Sequence, residues 1–374
     1  MFQNANTVQF AFVVGAVVLS WLILANARFI GEKLNIIDHP DGLRKVHEKA
    51  TPLVAGFGIL IPFFVWIAAT LATESAWAWN TRTFIVVLLC GLGATLIGYA
   101  DDQSSTSPSS RLFAILLFSI IAIVLDPHLV PMSITLAGWG PLPVPYWFAV
   151  PLVTIALVGL VNAVNMVDGQ NGLVIGMLVI WTACIVVTTN GAVSAMAQTL
   201  LVTALTAFVF NLAGLAFLGD SGTYGLGFVV GLLAVWAHNS FGVPAQTVCV
   251  WFFFPVLDCL RLIVKRLSHR RYPFCADRDH FHHHLQDRLG QTLSLVVYLG
   301  VTAATSIGSA LDAKMAPFCL ISLVAFYFTV ILPTREGDIR NLDMLADQQA
   351  EGLHLVEDSA ATLVEHRRRA NEQR

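Results

Sequence analysis

Charge is what this sequence has least of. Only 12% of its 374 residues are Asp, Glu, Lys or Arg, where a soluble domain carries about 25%. That shortage excludes an ordinary water-soluble domain. Close cysteine pairs are also absent. Cys90, Cys184, Cys249, Cys259, Cys275 and Cys319 fall mostly inside apolar runs, which excludes a disulfide framework and leaves small packing residues. The N-terminus lacks the basic region and small-residue cleavage site of a signal peptide, so its first apolar run is read as a retained span. No internal repeat is visible. A net charge of −3 names no partner.

What the chain has is apolar length: 56% hydrophobic residues and a mean hydropathy of +0.71. A helical span needs ~20 apolar residues. Eleven runs approach this, at 8–27, 53–72, 83–100, 111–125, 146–163, 172–189, 194–215, 223–237, 246–264, 292–310 and 316–333; the fourth and eighth are short. The expected fold is an all-α polytopic integral membrane protein of about eleven spans, with a transmembrane domain over 1–333 and a polar tail over 334–374. Lys and Arg set its orientation. With the N-terminus outside and the C-terminus cytoplasmic, nineteen of the 21 Lys and Arg face inward. The outer segment from Asp126 to Tyr146, with Trp139 and Trp147 at hand, reads as an ordered interfacial loop. Asp343 to Arg369 in the tail could form an amphipathic helix, a solvated tail being the favoured reading.

Four polar stretches then fall on the inner face. Asp101-Asp102 leaves an apolar run, where two adjacent carboxylates are costly unless they bind something. Asn162, Asn165 and Asp168 recur every third residue and share one face if the helix continues; Asp168-Gly169 and Asn171-Gly172 are turn formers that end it. Asp220 sits between Gly219 and Gly222, in a turn that lets backbone approach a phosphate. The basic loop from Lys265 to Arg288 carries His280, His282, His283 and His284 beside Arg278. Phosphate binding is the favoured reading there, ahead of a positive-inside connector or a zinc site lacking cysteines. His47 with Thr51-Pro52 enters the second span from the same side.

Together NAVNMVDGQNG, FLGDSG and PFCADRDHFHHH, with Asp101-Asp102 and His47, resemble the polyprenyl-phosphate N-acetylhexosamine-1-phosphate transferase family. The bacterial undecaprenyl-phosphate GlcNAc-1-phosphate transferase branch is the nearest in pattern. The resemblance runs from about Ile36 to Leu285. It implies that Asn165 and Asp220 ligate Mg²⁺, with Mn²⁺ as a substitute, and that Asp101, Asp102 and Asp168 are catalytic, Asp101 and Asp102 forming an acidic pair in which Asp101 is the candidate base toward the lipid phosphate. Asp168 and Asn171, with Asn162 and His47 in the same binding set, would hold the nucleotide sugar. His280, His282, His283 and Arg278 would bind its diphosphate or sugar, and Asn211 and Phe217 the uridine. Asn171 stands where bacterial members usually have Asp. His284-Leu285-Gln286 replaces the Tyr-Glu that follows the histidines in the phospho-MurNAc-pentapeptide branch, which argues against that donor.

The reaction implied is transfer of GlcNAc-1-phosphate from UDP-GlcNAc to undecaprenyl phosphate, giving the lipid-diphospho-sugar and UMP at the cytoplasmic face of the inner membrane. GalNAc, FucNAc or QuiNAc are the alternative sugars. Lipopolysaccharide O-antigen, teichoic acid linkage and exopolysaccharide are the possible destinations. The partners are these two substrates and the bilayer, with room for a homodimer and none for nucleic acid. Outside this class the competitor is a secondary transporter, for which Asp258 in the ninth run would be the ion-binding residue; a transporter, however, places carboxylates near the midplane, often in repeated halves.

Overall fold

The computed structural model describes residues 2–40, 49–73, 81–104, 106–270 and 279–332. His47, Arg278, the expected boundary at 333/334 and the whole tail lie outside them. The chain divides into two compact units, Met1–Val324 and Ala325–Arg374. The site described below belongs to the first.

Apolar runs became helices because a backbone in hydrocarbon must satisfy its own hydrogen bonds. In chain order they are α1 (Phe2–Ala25), α2 (Ala27–Leu34), α3 (Ala55–Leu71), α4 (Thr81–Val86) and α5 (Leu92–Gln103). Next come α6 (Pro108–Leu125), α7 (Tyr146–Val167), α8 (Leu173–Thr188), α9 (Gly191–Leu212) and α10 (Gly219–Phe241). The last are α11 (Ala245–Trp251), α12 (Phe253–Ser268), α13 (Phe281–Leu311) and α14 (Ala316–Ile331). A π turn at Val87–Gly91 joins α4 and α5 into one rod, Thr81–Gln103.

Among the described residues seven helices are long and apolar enough to cross a membrane, and nine if the bent pairs α1–α2 (70°) and α11–α12 (77°) each count as one span. The protein is an integral membrane protein of mostly helical structure. The runs at 53–72 and 172–189 form the shorter apolar helices α3 and α8. The two short runs lengthened. Ser107 caps α6 by accepting Ser110 N at 3.2 Å, with Pro108 in the first turn, the position that suits proline. α10 begins at Gly219 and so takes Asp220, Ser221 and Thr223 into the helix.

α10 is the hub. Its apolar window is 72% buried, against 22% for α6, and it packs against α5, α7 and α3. Two antiparallel pairs complete the fold: β1 (Ile37–Asp38) with β2 (Thr51–Pro52), and β3 (Ser133–Leu136) with β4 (Gly140–Pro143). The second is the ordered segment expected between Asp126 and Tyr146, with Trp139 and Trp147 exposed. At Gly290 (φ 75°) the long helix α13 breaks, so its first two turns carry the histidines on a separate segment from the apolar run at 292–310.

Candidate active site

The first turn of α10 gathers three stretches that are far apart in sequence. Gly219 adopts φ +73°, a left-handed value that glycine takes without penalty. A Cβ there would also lie 2.9 Å from Asp102 Oδ2. Past this turn the free amides of α10 point at Asp102: Asp220 N donates to Oδ1 at 2.7 Å and Ser221 N to Oδ2 at 2.9 Å. A carboxylate on unsatisfied helix amides is the favourable arrangement. α5 approaches α10 closely because residue 98 is glycine; a Cβ there would stand 2.1 Å from Asp220 O.

The Asp220 side chain faces α7. Asn165 Nδ2 donates to Asp220 Oδ1 at 2.6 Å and to Thr223 Oγ1 at 3.0 Å. Asp101 is 9% exposed. Its Oδ1 accepts Thr106 N at 2.7 Å and Thr106 Oγ1 at 2.8 Å, and its Oδ2 pairs with Arg111. Asp101, Asp220 and Tyr224 are near enough to Arg111 to interact with its charge. Arg111 entered the sequence reading only as one more inward-facing charge; its place beside the acidic pair needed α6 to pack beside α5.

The histidine segment closes on the end of α7. Asp168 follows the last helical residue, its N–H donating to Asn165 O at 3.3 Å. Gly169 leaves room for His282: a Cβ there would lie 2.5 Å from His282 Nε2. His282 is 2% exposed, and neither ring nitrogen has a hydrogen-bond partner among the described residues. It stacks on His280 (centroids 5.5 Å, 22°) and lies 4.1 Å from the His283 ring. His283 Nδ1 is 3.2 Å from Gln286 Oε1.

Below the histidines sit two carboxylates. Asp258, from α12, receives His280 Nδ1 at 3.0 Å, Phe281 N at 3.2 Å and Arg261 Nη2 at 3.0 Å. Asp279 Oδ1 is 2.8 Å from His284 Nε2, while its Oδ2 meets Arg261 Nη1 at 3.0 Å and Lys265 Nζ at 2.8 Å. Burial pushes the Asp279 carboxyl up. The His284 hydrogen bond and the charges of Arg261 and Lys265 outweigh it and hold the group well below the usual carboxylate range.

The remaining expected residues brace the site. Asn211 is buried and engaged on both sides: Oδ1 accepts Gly172 N at 2.6 Å and Nδ2 donates to Ala216 O at 2.9 Å. It ties the turn after α7 to the approach to α10. Asn171 Nδ2 lies beside Gly214 in that same approach. Phe217 N donates to Pro52 O and Ala55 N donates to Phe217 O, both at 2.9 Å, so Thr51-Pro52 is docked on the strand-like lead into α10. Asn162 stands apart, with Nδ2 bonded to Val158 O of its own helix at 2.7 Å.

Among the described residues no group of three or more His, Cys, Asp and Glu side chains is set to hold a metal ion. A hard cation with few protein ligands is a different case. Asp220 offers a carboxylate and Asn165 an amide, the oxygen-type donors that Mg²⁺ takes while keeping waters. Asp101, Asp102 and Asp220 crowd one spot with Arg111 facing them, and neighbouring carboxylates stay ionised together only if a proton or a cation intervenes. The donor set fits Mg²⁺.

Comparison with known proteins follows the same residues. The family model for glycosyl transferase family 4 matches residues 84–238, the stretch holding Asp101, Asp102, Asn165, Asp168 and Asp220. A probable undecaprenyl-phosphate N-acetylglucosaminyl 1-phosphate transferase of Bacillus subtilis is 27% identical over 321 residues, 81% of this chain and 84% of the relative. Undecaprenyl-phosphate alpha-N-acetylglucosaminyl 1-phosphate transferases of Yersinia pestis and Escherichia coli K12 are also similar. The former is 27% identical, covering 71% of this chain and 73% of its own; the latter is 25% identical, covering 77% and 79%. The family model spans the helices that build the acidic cluster, and the relatives extend the likeness beyond it: the chain is a membrane enzyme similar, over residues 84–238, to glycosyl transferase family 4.

Proposed function

We propose that the protein transfers N-acetylglucosamine 1-phosphate from UDP-GlcNAc to undecaprenyl phosphate, releasing UMP. The observation that carries this is the meeting of Asp220 and Asn165 at 2.6 Å, with Asp101, Asp102 and Arg111 around them. The names of the relatives supply the sugar and the lipid. α3 and α8, added to the seven long helices and two bent pairs, would bring the spans to the expected eleven, with the N-terminus outside. The Lys and Arg bias supports a site at the cytoplasmic side of the inner membrane, where a nucleotide sugar and a lipid phosphate at the interface would meet.

A lipid phosphate oxygen attacks the sugar-linked phosphorus. A new P–O bond forms, the bond to the bridging oxygen breaks, and UMP leaves with the electron pair. Both reactants are anions, so placement and charge neutralisation are the main work. Mg²⁺, held by Asp220 and Asn165, would neutralise the diphosphate. Asp102 holds the start of α10, and Asp220 with it, in place. Both Asp101 oxygens are engaged, which suits it to holding Arg111 toward the nucleophile. A phosphate monoester with a second pKa of about 6 is already largely dianionic at neutral pH and needs little help from a base. His280, His282 and His283 face the departing phosphate, and Asp168 and Asn171 border the nucleotide sugar.

The test is transfer of radiolabel from UDP-GlcNAc to undecaprenyl phosphate in detergent, with Mg²⁺, with Mn²⁺ and after chelation, for wild type and Asp220→Ala. Cation-dependent labelling lost in the variant is expected. Labelling from UDP-GalNAc, UDP-FucNAc or UDP-QuiNAc alone would replace the sugar. Labelling from no donor would overturn the transfer reading.

A further inference from the structure

Asp258 lies in an apolar helix, is 2% exposed, and has no part in the reaction described above. Its surroundings are specific. Oδ1 takes Phe281 N at 3.2 Å and Arg261 Nη2 at 3.0 Å, and Oδ2 takes His280 Nδ1 at 3.0 Å. An ionised carboxylate only accepts, so the proton between Asp258 and His280 sits on Nδ1. The other ring nitrogen, Nε2, makes no hydrogen bond among the described residues. The ring is further constrained by its stack on His282 at 5.5 Å and 22°, and His282 is wedged against Gly169 beside Asp168.

We propose that Asp258 is a positioning residue for the transfer reaction: by holding His280 through Nδ1–H it fixes the tautomer and plane of the ring, so that Nε2 is the nitrogen turned to the diphosphate of the sugar nucleotide. The proposal rests on the transfer reading above. With Nδ1–H given to Asp258, Nε2 is the ring nitrogen left to share a proton with a phosphate oxygen. The buried charge of Asp258 thereby serves a phosphate it does not touch, as carboxylates behind ligand-binding histidines do. A helix anchor alone would need only Oδ1, with its bonds to Arg261 and the amide of Phe281. The bond from Oδ2 to a ring is what a positioning role adds.

The test has two arms. In the first, ¹⁵N-labelled wild type in detergent is compared with His280→Gln to assign the His280 ring. Nδ1 should carry the proton in the free protein, and the Nε2 resonance should move when UDP is added. A ring protonated at Nε2 alone in wild type overturns the proposal without any variant of Asp258. In the second arm, kcat for Asp258→Asn should fall about 10- to 100-fold, since an amide can offer N–H to Nδ1 and turn the tautomer. Asp258→Glu should recover part of that loss. Adding Asp258→Asn to His280→Gln should cost nothing further. Additive losses, or full activity in Asp258→Asn, would sink the idea. If wild type transfers no sugar from any donor, the transfer reading fails, and the ring resonances decide this proposal alone: a UDP-dependent Nε2 shift supports it and a silent ring overturns it.

Discussion

Asp102 holds Asp220 by its backbone rather than its side chain: Asp220 N donates to Asp102 Oδ1 at 2.7 Å, and the next amide, Ser221 N, donates to Oδ2 at 2.9 Å. The acidic pair is thus divided between two jobs. Asp101 faces Arg111, and Asp102 caps the helix on which the candidate metal carboxylate rides.

Asp102→Asn keeps one acceptor but aims an amide N–H at the second backbone donor. Stability should fall by about 1–3 kcal/mol, read as a lower thermal unfolding midpoint in detergent. Activity should fall about 10- to 100-fold through displacement of Asp220. Asp102→Ala, which removes both acceptors, should be worse on both counts. An Asp102→Asn protein with wild-type stability would refute the capping role.

Gly98→Ala tests the closeness of α5 and α10 without touching a polar group. Its Cβ would lie 2.1 Å from Asp220 O and 2.6 Å from Ser221 Cα, so the helices must part, at a cost of about 1–3 kcal/mol. Transfer should drop with it. Gly159→Ala is the control, since a Cβ there meets nothing within 4 Å; it should be neutral or slightly stabilising in a helix. Equal behaviour of the two variants would contradict the packing.

Gly169→Ala places a methyl 2.5 Å from His282 Nε2. The buried ring must shift, and its neighbours His280 and His283 with it. KM for the UDP-sugar should rise about tenfold, and the unfolding midpoint should fall as the buried ring is displaced. Steady-state kinetics at saturating lipid phosphate would show it; an unchanged KM would separate Gly169 from the histidine site.

Asp279 supplies the pH dependence. Its folded carboxyl is held below the usual range, so it contributes stability above the unfolded value of about 3.9 and loses it as pH falls toward the folded value. Asp279→Asn should therefore be less stable than wild type at pH 7, by about 1–3 kcal/mol. The gap should hold down to about pH 4 and narrow below it. Thermal unfolding of both proteins from pH 7 to pH 3 tests the sign. A gap that widens in acid would refute it.

Much of the site was legible before any folding. The spacing of Asn165 and Asp168, the glycines around Asp220 and the run of histidines each break an apolar pattern, and an interruption in hydrocarbon needs a reason. Asp258 was legible as an oddity but not as a partner of His280. The signal was one carboxylate in an apolar run, which a transporter reading explains equally well. Arg111 and Asn211 take their partners from the fold. The arginine looked like a topological charge and lies in the acidic cluster, whereas the asparagine looked like a ligand contact and spends both polar groups on backbone.

The sequence by itself determined the membrane class, the helical runs and the list of polar residues available for chemistry, because burial in hydrocarbon depends on composition over some twenty residues. Only the tertiary structure decided what each polar residue does. Hydrogen bonds between Asp102 and Asp220 or between Asn165 and Asp220 join positions 118 and 55 residues apart. Their formation depends on how closely α5 and α7 reach α10, and that distance is set by side chains such as the absent one at Gly98.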